Sequence, residues 1–325
     1  MAEALYGPGG FFVSGAGPAA HFRTSAHASP VFGAAVLRLL DLLDAALGRP
    51  DPLDVVDVGA GRAELLGTLA RLAPPGLARR LRLTAVELAP RPDPPPPDVR
   101  WRDTLPSGVT GLLVATEWLD NVPLDVAEVG PAGWHRVLVD PATGTESTGG
   151  VLGPAEADWL ARWWPAVPGG RAEIGLSRDA AWAEAVAAVD RGLALAVDYG
   201  HLTAERPPEG TLTGYLAGRQ VPPLPDGSRD VTAHVAVDSA AAAGSAAAGL
   251  PYTLLRQRDA LRALGVDGRR PPLALAGTDP AGYVRALATA SAAAELTEPA
   301  GLGGHWWILQ PVGVDPAPLM ARWRA

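Results

Sequence analysis

The sequence predicts an α/β protein built on a mostly parallel sheet of the nucleotide-binding type, and three observations predict it. An apolar run at 53–58 reads as a buried strand. It leads through Gly59-Ala60-Gly61 into 64–72, where residues 65, 66, 69 and 72 are apolar in helical spacing. Further strand-like runs follow at 81–87, 99–101, 111–115 and 193–197. Two of these runs end in polar clusters, 116–121 and Asp198-Tyr199-Gly200-His201, at carboxyl strand ends, where open α/β sheets hold their ligands.

In chain order, residues 6–18 are glycine-rich and read as irregular. A helix is predicted over 31–43, with Ser29 as its N-cap and Pro30 at its first position. Pro74-Pro75-Gly76 breaks the helix after the glycine turn. The next strand ends in Glu87, a carboxylate where nucleotide-type folds hold ribose hydroxyls. Residues 89–98 carry too many prolines for helix or central strand and read as a stiff loop. Asp103 follows the third strand, and the fourth reads as buried on both faces. Residues 125–129 and 134–139 resemble a hairpin, the tryptophans at 159, 163 and 164 read as packing, and a helix lies around 179–189. Residues 125–190 therefore read as an insertion between strands four and five. The core is then 51–124 with 191–325, and 1–50 is an N-terminal segment and helix that contributes to the site. Residues 202–230 read as a long structureless loop. The stretch 240–249 reads as a helix end, and 252–256 and 306–310 as final strands.

Composition narrows the function. The net charge of −8 gives no basic face for nucleic acid. The chain has no Cys, hence no disulfide, thiolate metal site or cysteine nucleophile. It has no Lys either, so a P-loop is excluded. His21, His27, His201 and His234 lack zinc-site spacing, and no metal is expected. The apolar runs are too short to span a membrane, and no signal-peptide pattern opens the chain, so a cytoplasmic protein is expected. Oligomeric state is not legible.

Two ligands compete for the glycine turn, beside the reading as a tight turn with no ligand. The dinucleotide fingerprint needs a third glycine where this chain has Glu64. A carboxylate there would face a pyrophosphate. S-adenosylmethionine has no phosphate and carries a sulfonium and an ammonium, which Asp57 at the strand end suits better.

With these pieces in place, the chain resembles the MidA-like family of S-adenosylmethionine-dependent methyltransferases over about residues 9–240. That family includes a mitochondrial complex I assembly factor that methylates an arginine. Its N-terminal motif is matched by Phe22, Thr24, Ser25, Ser29, Phe32 and Gly33, and its cofactor turn by Asp57, Gly59, Gly61 and Arg62. Glu117, Asp120 and Pro123 match the fourth-strand motif, Asp198-Tyr199-Gly200 the fifth, and Asp230, Thr232, Ala233, His234 and Val235 a later one. The chain departs from the family at His21, Ala26-His27, Ala63 and Thr116. The loss of two N-terminal acids bears on the family's cationic substrate.

The resemblance implies the Rossmann-like class I methyltransferase fold with inserted segments, and S-adenosyl-L-methionine as cofactor. It implies cofactor contacts from Thr24, Ser25, Asp57, Gly59, Ala60, Gly61, Glu87, Asp103 and Glu117. Glu117, Asp120 and His234 would be catalytic, and His21, His27, Asp198, Tyr199 and Asp230 would bind substrate. Glu117 and Asp120 lie one turn apart if their segment is helical, so both could fork a guanidinium. The acceptor would be a protein side chain, such as one in a respiratory complex subunit, or a small molecule; the third reading is a non-catalytic assembly protein that keeps the fold.

Overall fold

The computed structural model describes residues 1–14, 25, 29–130, 133–315, 317 and 321. The chain opens with two short helices, α1 (Ala2–Tyr6) and α2 (Phe11–Ser14), the second within 6–18, where an irregular segment was expected. They are held by burial rather than by propensity, since Leu5 and Phe11 pack on Val231. Helix α3 (Pro30–Ala46) starts at the expected cap, with the Val31 N–H donating to Ser29 Oγ (3.0 Å) and Pro30 in the first turn.

The core opens with a strand and two helices and then runs three strands in succession. It runs β1 (Leu53–Val58), α4 (Glu64–Leu72), α5 (Pro75–Ala78), β2 (Leu81–Val86), β3 (Val99–Arg102) and β4 (Val109–Thr116), followed by a 3-10 turn at Leu119–Asn121. Next come β5 (Asp125–Gly130), β6 (Gly133–Val139), β7 (Glu146–Val151), α6 (Pro154–Trp163), β8 (Arg171–Ile174) and α7 (Leu176–Ala187). Strands β5 to β8 form their own antiparallel sheet, ordered β7-β6-β5-β8. Helix α6 covers it, with Trp159, Leu160 and Trp164 packed on Ala127, Ala172 and Ile174.

The chain returns to the core in β9 (Val189–Asp198). It continues through β10 (Gly200–His201), β11 (Thr213–Leu216), β12 (Arg219–Val221), β13 (Asp230–Thr232), β14 (Val235–Ala236) and α8 (Val237–Ala248). The expected structureless stretch at 202–230 is thus corrected. It carries a hairpin, β11–β12, whose two-residue turn Ala217-Gly218 has both φ values positive (51° and 75°), the twist a tight hairpin needs. The chain ends with β15 (Thr253–Arg256), α9 (Gln257–Ala263), α10 (Leu273–Thr278), α11 (Pro280–Thr297) and β16 (Trp306–Val312).

Seven strands form the main sheet in the order β15-β16-β9-β4-β1-β2-β3. β3, β2, β1, β4 and β9 pair in parallel, and β16 runs antiparallel to β9. Leucines of α3 and α4, with Leu261, Leu264 and Leu296, cover one face. Trp182, Val186, Val237 and Ala240 from α7 and α8 cover the other. The order reverses between β1 and β4, and such a switch leaves a crevice at the carboxyl ends of the strands. No helix among the described residues is long and apolar enough to cross a membrane.

Candidate active site

The register aligns the polar residues of separate strands along one edge of the sheet. Val58 pairs with both Val86 and Ala115, Val86 with Arg102, Thr116 with Val197, and Asp198 with Trp306. The residues just past these positions therefore form a row: Asp103, Glu87, the glycine turn, Glu117, Tyr199 and, because β16 runs the other way, His305.

At the glycine turn the backbone donors are spent on the protein itself. Gly59 N–H (2.9 Å) and Ala60 N–H (3.4 Å) donate to the Val86 carbonyl, and Ala63 N–H to the Ala60 carbonyl. Gly61 N–H donates to Glu87 Oε2 (2.9 Å), and Arg62 N–H to Glu64 Oε2 (3.0 Å). A phosphate site works by offering such donors; here they face carboxylates. Asp57, wholly buried, has its pKa pushed well up by burial and by Glu64 and Glu87. Glu87 is raised too, chiefly by burial. The turn thus presents carboxyls where a phosphate site offers free donors, an arrangement that suits a cation better than a pyrophosphate. Gly61 (φ 56°) is open on its outer side, since a Cβ there would meet nothing nearer than Glu64 Oε2 at 3.5 Å. Asp103 is exposed beyond the end of β3, beside Glu87, whose N–H donates to the Arg102 carbonyl (2.9 Å).

Past β4 the chain turns sharply. Glu117 has φ 51°, so it does not begin a helix, and the expected one-turn alignment with Asp120 is corrected. This strained backbone, at a position where function often stores strain, turns the Glu117 carboxyl inward. There Oε1 accepts the Ser25 N–H (2.8 Å) and lies 3.9 Å from His305 Nδ1. Burial pushes the Glu117 carboxyl up to about 8. Ser25 itself is buried, with its hydroxyl on the Gln257 side chain (3.1 and 3.3 Å). It thus ties the N-terminal segment to the site from within. His21, Thr24 and His27 lie outside the described residues.

Asp120 is 3% exposed. Its Oδ2 accepts from the Tyr199 hydroxyl and from Thr232 Oγ1 (2.7 Å), while Oδ1 is buried with no partner. Burial raises its pKa, against the Thr232 and Tyr199 hydrogen bonds and the charge of Arg178. Asp230 accepts from Asn121 Nδ2 (2.8 Å) and is held up to about 8 by burial and by Asp120. The Asp198 carboxylate, expected to contact substrate, is held by the backbone. Oδ2 accepts the N–H groups of Leu119 (2.9 Å) and Asp120 (3.2 Å), and Oδ1 that of Tyr199 (3.0 Å). It anchors the turn that carries Asp120. His234 stands at the solvent side, its ring edge-on to Tyr199 at 5.2 Å, and the protein around it holds its pKa below the usual imidazole value.

Two residues at the centre of this cluster were not expected. Arg178, on α7 and 1% exposed, donates to four main-chain carbonyls: Val122 (3.0 Å), Ala233 (2.9 Å), His234 (3.0 Å) and Asp120. It ties the turn after β4 to the segment after β13. Nothing in the sequence distinguishes it from a surface helix arginine. His305 is buried against Tyr199, with ring centroids 5.5 Å apart, and its Nδ1 has no hydrogen-bond partner. Its one signal was a histidine directly before a predicted final strand. His201 accepts at Nδ1 from Arg206 Nη1 (2.6 Å), which fixes it as the neutral tautomer with the proton on Nε2. Among the described residues no three acids or histidines are arranged to hold a metal ion.

A family model described as "Putative S-adenosyl-L-methionine-dependent methyltransferase" matches residues 38–254, which include the glycine turn and most of the acid cluster. The chain belongs to this family. The methyltransferase is also similar to a solved COG1565 superfamily structure from Burkholderia thailandensis, bound to S-adenosyl-homocysteine. The two share 27% identity, with a TM-score of 0.79 over 99% of this chain and 89% of that one. A second solved COG1565 superfamily structure from the same organism matches at 27% identity and a TM-score of 0.78, over 97% and 86% of the two chains. The methyltransferase matches no curated protein. Its cofactor is S-adenosyl-L-methionine, and the carboxyl-lined turn with its spent backbone donors fits that molecule's cationic groups.

Proposed function

We propose that this methyltransferase transfers a methyl group to a cationic protein side chain, an arginine guanidinium. Asp57, Gly59, Ala60, Gly61 and Glu87 hold the cofactor's amino-acid and ribose parts, Asp103 lies by its adenine, and Glu117 faces its reactive end. The observation that carries the reading of the acceptor is the charge balance past β4. Glu117, Asp120, Asp198 and Asp230 are buried together, and the arginine among them spends its donors on carbonyls rather than on carboxylates. Four buried carboxyls beside a single arginine leave room for a cationic guest. Asp120 Oδ1, buried and unpartnered, is the acceptor that a guanidinium N–H would complete.

The bound cofactor supplies an activated methyl group on a sulfonium. The chain's own residues then orient the acceptor nitrogen and take its proton. Asp120, held by Tyr199 and Thr232, fixes the guanidinium. His234, neutral near pH 7 because its pKa is lowered, accepts the proton that leaves as the N–C bond forms. A subunit of a respiratory complex is the first acceptor to try.

The test is transfer of tritium from methyl-labelled cofactor into a cell lysate, fractionated by size. Label in the protein fraction, released as methylarginine on hydrolysis, supports the reading. Label confined to small molecules would replace it with a metabolite methyltransferase. Cofactor binding with no transfer to any fraction would leave an assembly protein that keeps the fold.

A further inference from the structure

Glu117 is built as a buried acid without a fixed counter-ion. From the N-terminal segment it receives the Ser25 N–H; from its own turn it faces Asp120; from β9, Asp198; and from the residue before β16, His305. Two of these are further acids. Among the described residues, the one group at ion-pair distance that can carry positive charge is His305, whose pKa burial and His234 push down to about 4. Near pH 7 that imidazole is neutral. Arg178 acts on Asp120 and Asp198, not on Glu117. An ionised carboxylate in such surroundings is costly, so the group keeps its proton until a cation arrives.

Glu117 also abuts the cofactor turn. The next residue, Trp118, packs its indole over Gly59, where a Cβ would fall 2.9 Å from Trp118 Cδ1. β1 and β4 are neighbours in the sheet, so a ligand on the turn lies beside the Glu117 carboxyl.

We propose that Glu117, with His305 beside it, is the residue that tells the charged cofactor from its neutral thioether product, by giving up its proton when a sulfonium binds. The O–H bond of the carboxyl breaks, the electron pair stays on oxygen and the proton passes to solvent. No other bond changes. His305 Nδ1, buried 3.9 Å away with no hydrogen-bond partner of its own, is the nearest ring nitrogen to the carboxyl, and a closer approach would let it accept from the acid or, as the other tautomer, donate to the carboxylate. Loss of the sulfonium charge after transfer returns the proton to Glu117, which favours product release. The inference rests on cofactor binding at the glycine turn and not on the identity of the acceptor.

The experiment is calorimetric titration with S-adenosylmethionine and with S-adenosylhomocysteine, in buffers of different ionisation enthalpy. At pH 7 the sulfonium ligand should release about one proton more than the thioether, since a carboxyl held near 8 is mostly protonated there. Affinity for S-adenosylmethionine should rise about tenfold from pH 6.5 to 7.5 while that for S-adenosylhomocysteine stays level. In Glu117→Gln the excess proton release should vanish and the preference for the sulfonium should fall at least tenfold. Continued binding of S-adenosylhomocysteine would show that the variant is folded. Equal proton release by both ligands in the native protein, or an excess that survives in Glu117→Gln, would overturn the inference while leaving the cofactor site intact. Failure of both ligands to bind the native protein would overturn the cofactor site itself and the inference with it.

Discussion

The glycine-turn half of the carboxyl edge comes from one stretch of chain, residues 57–103, whereas the acid half is assembled from 117–121, 178, 198–201, 230–234 and 305. In the first half, side chains serve the backbone. Glu87 and Glu64 accept turn N–H groups, and the turn's shape follows from Gly59 and Gly61 at positive φ. In the second half the backbone serves the side chains, with four carbonyls holding Arg178 and three N–H groups holding Asp198. A cofactor common to a whole family needs a turn that local sequence can specify. A cluster of buried acids needs counterweights, and these come from distant elements.

Breaking the acid half at Arg178 should have the largest effect. Arg178→Met keeps bulk but takes the Arg178 donor from four main-chain carbonyls. Among the described residues, only Asp120's retains other, longer bonds, from Ala233 N–H and Thr232 Oγ1 (both 3.4 Å). At about 1–3 kcal/mol for each unsatisfied group, stability should fall by about 4 kcal/mol or more in chemical denaturation. A loss under about 1 kcal/mol would mean that the clamp contributes little.

Breaking the turn half acts on binding instead. Glu87→Ala should weaken S-adenosylmethionine by about 1.5–3 kcal/mol, the range for hydrogen bonds to a charged group. NADH should bind neither form, and micromolar NADH affinity would return the dinucleotide reading.

This asymmetry explains what the sequence made legible. The strands expected at 53–58, 81–87 and 111–115 lie at Leu53–Val58, Leu81–Val86 and Val109–Thr116, and the glycine turn, the strand-end place of Glu87 and the Ser29 cap are likewise local signals. Helices α1 and α2 were hidden because glycines surround them and their order comes from packing on Val231. β7 was hidden because Glu146–Val151 is polar, glycine-rich and largely exposed, with no alternation to read. Helix α11 is alanine-rich, so its buried and exposed faces differ little. Among site residues, Arg178 had no local pattern at all, and His305 only its place before a predicted final strand. Their roles exist only once α7 and β16 are docked. The same holds for Asp198, whose motif was visible but whose carboxylate proves to hold the Asp120 turn.

A smaller effect separates the halves by pH. Glu117 and Asp230, held up to about 8, keep protons in the folded protein that the unfolded chain gives up above its ordinary carboxyl values. Stability is therefore greatest at low pH on their account and is lost as pH rises toward 8. His201 and His305, pushed down to about 3 and about 4, act the opposite way, but only below the ordinary imidazole value of ~6.5. Between pH 6.5 and 8 the acids decide the sign, and two carboxyls held near 8 should lower stability by about 2 kcal/mol per pH unit. Glu117→Gln should flatten that slope. A stability that rises across this window would contradict the cluster's electrostatics. The smallest change is expected from Gly61→Ala, where only the positive φ opposes the new methyl, at about 1 kcal/mol of stability. A larger loss would mean that the turn is more tightly packed than its open outer side indicates.

The central claim is that the turn half, with Glu117 beside it, binds the cofactor, while Asp120 and the rest of the acid half act on the acceptor. It is tested most directly by comparing the native protein with Asp120→Asn, measuring cofactor affinity and tritium transfer into lysate protein on the same preparations. The amide keeps the shape of the side chain and removes its charge. Transfer should fall at least ~100-fold, the usual worth of an orienting or proton-handling group, while affinity for S-adenosylmethionine stays within about 1 kcal/mol. Undiminished transfer by Asp120→Asn, or a loss of cofactor affinity large enough to account for the lost transfer, would contradict the division.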